Sequence, residues 1–191
     1  MLNNGLSFLL NTLFGLLSAV FLLRFYFQLC TVPFKNPFGQ ALISMSQFLV
    51  KPLRRIVPSI GKFDASTFLL AFSCQLLLVL SIQLLRGIPL MFMSVEQWWA
   101  LLGLALIGVV KLSFYIFLYA SIAQVLLSWI NPYTMIAPVL SALTKPVLSP
   151  LQKLVPAKNG LDFSPLILFI IGQLCLIMFI FPLENTLLRL F

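Results

Sequence analysis

Four long stretches of this chain are apolar on every side, with neither alternation nor a helical stripe: Leu6 to Cys30, Phe63 to Leu85, Leu106 to Ile130 and Leu161 to Phe181. A hydrocarbon core of about 30 Å needs roughly 20 helical residues at about 1.5 Å each, so every stretch is long enough to cross it. Leu, Phe and Ile fill all faces, which predicts helices and not the alternating strands of an outer-membrane barrel. Between the first pair of stretches the pattern changes. Phe38, Ala41, Leu42, Met45, Phe48 and Leu49 fall at i, i+3, i+4, i+7, i+10 and i+11, one face of a helix, with Gln40, Ser44, Ser46 and Gln47 opposite. Tyr133, Ile136, Ala137, Leu140 and Leu143 repeat the stripe between the second pair. Asn36 or Asn131 is placed to cap such a helix, and Pro37 or Pro132 suits its first turn. These inserts, residues 36–58 and 131–156, are predicted to lie along a membrane interface.

Composition agrees. With 61% hydrophobic and 8% charged residues and a mean hydropathy of +1.10, the chain lies far outside the range of soluble domains. The first stretch has no Lys or Arg before Arg24 and is too long for the apolar part of a signal peptide, so it is expected to stay attached. Charge placement then predicts topology. Lys35, Lys51, Arg54, Arg55 and Lys62 lie between the first and second spans, and Lys145, Lys153 and Lys158 between the third and fourth, eight of the twelve cations in all. By the positive-inside rule both inserts face the cytoplasm and both termini face outward.

The chain also repeats itself. Asn36-Pro37-Phe38 matches Asn131-Pro132-Tyr133, Lys51-Pro52 matches Lys145-Pro146, and Val57-Pro58 matches Val155-Pro156. Asp64 and Ser66 match Asp162 and Ser164, and Gln75 matches Gln173. Residues 1–86 and 106–191 therefore form two units, joined by an external linker, 87–105, in which Trp98 and Trp99 make an aromatic belt. Each unit crosses twice, so both copies enter from the same side. The predicted fold is all-α and integral to the membrane: four transmembrane helices as two parallel repeats, each a helix, a cytoplasmic interfacial amphipathic helix and a helix.

Few residues offer chemistry. Gln75 and Gln173 lie about 16 Å past Asp64 and Asp162, near the bilayer centre, where an amide either bonds neighbouring helices or lines a solute path. Arg24 and Lys111, inside the first and third spans, are expected to snorkel to opposite surfaces. Ser66 and Ser164 are candidate helix caps beside aspartates favoured by the helix dipole. The sharper alternative pairs Lys51 with Asp64 and Lys145 with Asp162, latching each insert onto the following span. Cys30, Cys74 and Cys175 form no metal-binding spacing and the chain has no histidine, so no metal or cofactor is expected. Without a phosphate-binding glycine loop, a GxSxG or an HExxH, no enzymatic activity is expected either.

The paired NP[FY], KP, VP and DxS elements, and LLSWINPY at Leu126 to Tyr133 above all, resemble the YggT family of bacterial integral membrane proteins. The resemblance covers nearly the whole chain in two copies. The first copy departs from it, reading FQLCTVPFKNPF where the second reads LLSWINPY, and Ser66-Thr67 where the second reads Ser164-Pro165. The resemblance implies the bacterial cytoplasmic (inner) membrane, and bacterial members of that family are linked with osmotic or potassium stress. Plastid relatives are linked with nucleoid distribution and with haem attachment to a cytochrome. Two functions follow as expectations. The first is a scaffold or assembly factor whose paired basic inserts dock a protein partner, a second copy of the chain or anionic lipid headgroups, with no direct contact to nucleic acid. The second is an oligomeric channel or transporter.

Overall fold

The computed structural model describes residues 2–88, 90–131, 134–154, 162 and 164–191. Among them every regular element is helical apart from a single isolated bridge between Ile60 and Phe63. Among the described residues four helices are long and apolar enough to cross a membrane, so the protein is a multi-pass membrane protein: Asn3–Leu29, Ala65–Leu85, Val95–Ser128 and Ser164–Leu188.

The first span is α1 (Leu2–Leu29), followed by the short amphipathic α2 (Pro37–Leu53) and the second span α3 (Ala65–Leu85). Asn36 caps α2, accepting from the Gly39 N–H at 2.7 Å with Pro37 in the first turn. After a short 3-10 turn comes α4 (Val95–Ile130), whose 36 residues reach about 54 Å at about 1.5 Å each. It begins well before residue 106, so residues 95–105, expected in an external linker, form its first turns. The reason is a capping box: Ser94 Oγ accepts from the Gln97 N–H while the Gln97 side chain accepts from the Ser94 N–H. Trp98 and Trp99 thus sit on a helix.

Asn131 does not start the second insert; it closes α4, its N–H bonded to the Leu127 carbonyl. The amphipathic α5 begins later, at Ala137, and runs to Leu154 through Pro146 and Pro150. Pro132, Tyr133, Val155, Pro156 and Lys158 lie outside the described residues. The fourth span is α6 (Ser164–Cys175), a π-helical turn (Leu176–Ile180) and α7 (Phe181–Leu188). Pro182 cannot donate to the carbonyl four residues back, and its ring crowds that carbonyl. Widening the preceding turn, with the Phe181 N–H reaching back to Leu176, lets the helix continue through the proline. The fourth span therefore ends at Leu188, not at Phe181.

Helix α1 packs along α3, α3 along α4, and α4 against α6 and α7; α2 leans on α1 and α3, and α5 on α4 and α6. Phe21, Leu22, Val50, Ala71, Cys74 and Val109 close one core where α1, α2, α3 and α4 meet. Leu118, Leu148, Leu168 and Leu176 close another within the second half. A third, with Phe27, Val32, Leu42, Ala120, Val139 and Leu143, joins the two amphipathic helices across the halves. Glycine allows the closest approaches: a methyl on Gly108 would collide with the Gln75 amide, and one on Gly172 with Leu118.

Candidate functional site

Two polar assemblies stand out in this apolar frame, one at the amphipathic helices and one within the spans. In α2 the face turned to the protein is Gly39, Leu42, Ser46 and Val50. Ser46, expected on the polar outer side, is fully buried, because it answers a charge in the first span. Arg24 is only 8% exposed, and its Nη1 donates to Ser46 Oγ at 2.6 Å, while that hydroxyl donates to the Leu42 carbonyl at 2.6 Å. Arg24 therefore does not snorkel; it is held inside by α2. The outer part of the stripe, Phe38, Met45 and Phe48, is exposed.

At the far end of α2, Arg54 pairs with Asp64, the fully buried residue that precedes α3. Arg54 Nη2 also donates to Gln28 Oε1 at 3.2 Å, and Gln28 Nε2 to the Gly61 carbonyl at 3.4 Å. An aspartate does latch the insert to the next span, but its partner is Arg54 and not Lys51. Ser66 is not a cap. Its hydroxyl donates to the Val57 carbonyl and so pins the loop instead. Lys51, Pro52, Arg55 and Lys62 are exposed, as are Pro37 and Lys35.

The second half carries the same two fastenings with glutamines in place of the arginines. Thr144, fully buried on α5, donates to Gln124 Oε1 on α4 and shares its hydroxyl with the Leu140 carbonyl. Gln152 Nε2 donates to Asp162 Oδ2 at 2.8 Å, and Asp162 Oδ1 accepts from the Ser164 N–H at 2.9 Å. Burial pushes the Asp162 carboxyl up, but hydrogen bonds from the Ser164 backbone, the Ser164 side chain and Gln152 outweigh it and hold the group below its ordinary value. Lys145 and Pro146 are exposed, and Lys145 makes no ion pair among the described residues. Arg54 and Gln152 each lie ten residues before their aspartate. That equal spacing was the signal from which the partners were readable.

The second assembly lines a cavity of about 280 Å³ between α1, α3, α4 and α7. Lys111 Nζ donates to both oxygens of Glu184 at 2.6 and 2.7 Å, each side chain about a quarter exposed. Lys111 therefore stays inside the bundle, where it had been expected to snorkel outward. Its partner escaped sequence reading because residue 184 was placed beyond the fourth span. Gln75, 7% exposed, faces the same cavity against Gly108, and Gln83 and Arg86 continue its wall. Gln173 is half-buried on α6 and does not line this cavity, so the two matched glutamines are not brought together. The three thiols are free, and among the described residues no group of His, Cys, Asp or Glu could hold a metal.

All four acidic residues of the chain are thus engaged: Asp64, Asp162 and Glu184 by side chains, and Glu96 in the first turn of α4, where the helix dipole favours it. The comparisons follow the same division of the chain. The CCB3/YggT family model matches twice, over residues 3–85 and 103–183. An uncharacterised protein of Vibrio alginolyticus, named for its place beside proC, is 34% identical over 169 residues, 87% of this chain and 89% of its own length. The uncharacterised protein YggT of Escherichia coli K12 is 32% identical over 170 residues, 88% of this chain and 85% of its own. A Pseudomonas aeruginosa protein is 34% identical over 173 residues, 88% and 85% of the two chains. No solved structure matches. Two matched segments that each take in a span, a shorter helix and a further span leave one conclusion: the chain belongs to the CCB3/YggT family.

Proposed function

We propose that this protein is a non-enzymatic scaffold or assembly factor of the cytoplasmic membrane, docking a partner or anionic lipid headgroups through α2 and α5 at the inner face. One observation carries the reading. Each amphipathic helix is fastened at two points, to the span before it and the span after it, while Phe38, Met45, Phe48, Lys51 and Arg55 are left on the outside of α2. A helix held this rigidly presents a fixed mixture of apolar and cationic groups, the pattern that suits an anionic interface. The concentration of cations in the two inserts supports their cytoplasmic position.

A photo-crosslinking side chain placed at Phe48 and at Arg55 in cells tests this. A defined protein adduct, or adducts with anionic lipids above their share of the membrane, is the expected result. Adducts that follow bulk lipid composition alone at both positions overturn it. Reporters fused to the termini and inserts test orientation separately.

A second reading, an oligomeric channel or transporter, is favoured by Glu184, which places a carboxylate inside the fourth span beside a polar cavity. Ion flux into anionic-lipid vesicles that is present in wild type and lost in Glu184→Gln would favour it over docking.

A further inference from the structure

The cavity between α1, α3, α4 and α7 has a chemistry that docking does not use. Glu184 is the one carboxylate on its wall, and both oxygens are taken by Lys111, so that pair is neutral. Two of the three ammonium protons of Lys111 are used by that pair. Arg86 is exposed on the same wall and makes no ion pair among the described residues. The fixed charge is therefore one positive unit. A cation entering here would meet a positive charge and a carboxylate already neutralised, whereas an anion is drawn in. One turn before Arg86, near the end of α3, Gln83 is 1% exposed, and its buried Oε1 has no hydrogen-bond partner among the described residues. A buried acceptor without a partner is costly, and a turn of the Gln83 amide toward the cavity would let a donor on an occupant satisfy it.

We propose that this cavity binds a small carboxylate carrying its own hydrogen-bond donor, the class of short hydroxy or amino acids. The ligand carboxylate meets the Arg86 guanidinium, its hydroxyl or ammonium donates to Gln83 Oε1, and the Lys111–Glu184 pair forms a polar floor. Liquid water takes about 30 Å³ per molecule, so about 280 Å³ holds such a ligand with several waters. The inference stands on the cavity alone, and its failure leaves the docking reading untouched.

The test is thermal unfolding of the purified full chain in detergent, followed by tryptophan fluorescence at constant ionic strength. The probes are sodium glycolate, sodium acetate, which lacks the donor, and glycolamide, which lacks the charge. Glycolate is expected to raise the unfolding temperature saturably and to bind about tenfold more tightly than acetate, with no effect of glycolamide. Arg86→Gln, at an exposed position, is expected to weaken glycolate about tenfold, as the loss of a charged hydrogen bond does. Gln83→Leu is expected to erase the advantage of glycolate over acetate. If Gln83→Leu does not fold, the three probes and Arg86→Gln still decide. Equal stabilisation by glycolate and glycolamide, glycolate no better than acetate, an unchanged response in Arg86→Gln, or a shift that follows potassium at fixed anion would each overturn the proposal.

Discussion

The two halves of the molecule fasten their amphipathic helices at corresponding points with different physics. In the first, Arg24 holds Ser46 and Arg54 holds Asp64; in the second, Thr144 meets Gln124 and Gln152 meets Asp162. The geometry is kept and the charge is exchanged. A charge taken out of water must be answered, so the first half depends on partners that the second could lose cheaply. The intramembrane ion pair reverses the assignment, since Lys111 and Glu184 both belong to the second half. The first half therefore has two places where removing a single side chain strands a charge, at Arg24 and at the Arg54–Asp64 pair, and the second half has one.

The largest effect should follow from stranding the charge at α2. Asp64 is fully buried, while the Arg54 side chain is 38% exposed and can partly escape to water. Asp64→Ala is therefore expected to destabilise by about 3 kcal/mol, the low end for a broken buried pair. Asp162→Ala, which breaks hydrogen bonds to an exposed carboxylate that has no ion-pair partner among the described residues, should cost about 1 kcal/mol. Unfolding midpoints of the two variants in detergent would erase the distinction between the halves if they coincided.

Next comes the pair inside the membrane. Lys111→Met and Glu184→Gln are each expected to cost about 2 kcal/mol, below the range for fully buried pairs because both side chains are partly exposed. The double variant should lose less than the two singles together, with a coupling of about 1 kcal/mol or more in a double-mutant cycle. Additive losses would show that the two groups do not answer each other. Gly108→Ala should cost about 1–3 kcal/mol, because its methyl displaces the Gln75 amide. Gly15→Ala, on the same cavity wall with nothing near its added carbon, serves as the control and should be close to neutral.

The spans were legible because their signal is length and apolarity, which tertiary contacts cannot reverse. Their ends were less so. Pro182 reads as a stop, and only a π turn, which has no simple sequence mark, carries the helix past it to Glu184. The start of α4 was legible in Ser94 and Gln97, spaced as a capping box, but the tryptophans beside them drew the reading toward a surface belt. The latch was predicted in kind and missed in partner. Helical phase and the loop that follows bring Arg54, and not Lys51, back to Asp64, whereas the lysine suggested itself through the repeated Lys-Pro pair. Ser46 was assigned outward for its polarity, although a buried Arg24 needed an acceptor on that face.

The smallest expected effect separates the halves by pH. With its folded value held below the ordinary 3.8, Asp162 binds fewer protons when folded than when unfolded in the range between those values. Its contribution is therefore complete above about pH 3.8 and fades as pH falls through the folded value. Amide hydrogen exchange along α5, once the intrinsic chemical rate is divided out, should be unchanged by pH well above 3.8, should quicken as pH falls from there toward the folded value, and should level off below it. Gln152→Leu removes one of the bonds that stabilise the charged carboxylate, so the folded value should rise toward 3.8 and the acid-induced quickening should shrink. A quickening of unchanged size in Gln152→Leu would mean that Ser164 alone sets the charge of Asp162, and that the Gln152 latch on α5 is a contact without an energetic part in holding the helix.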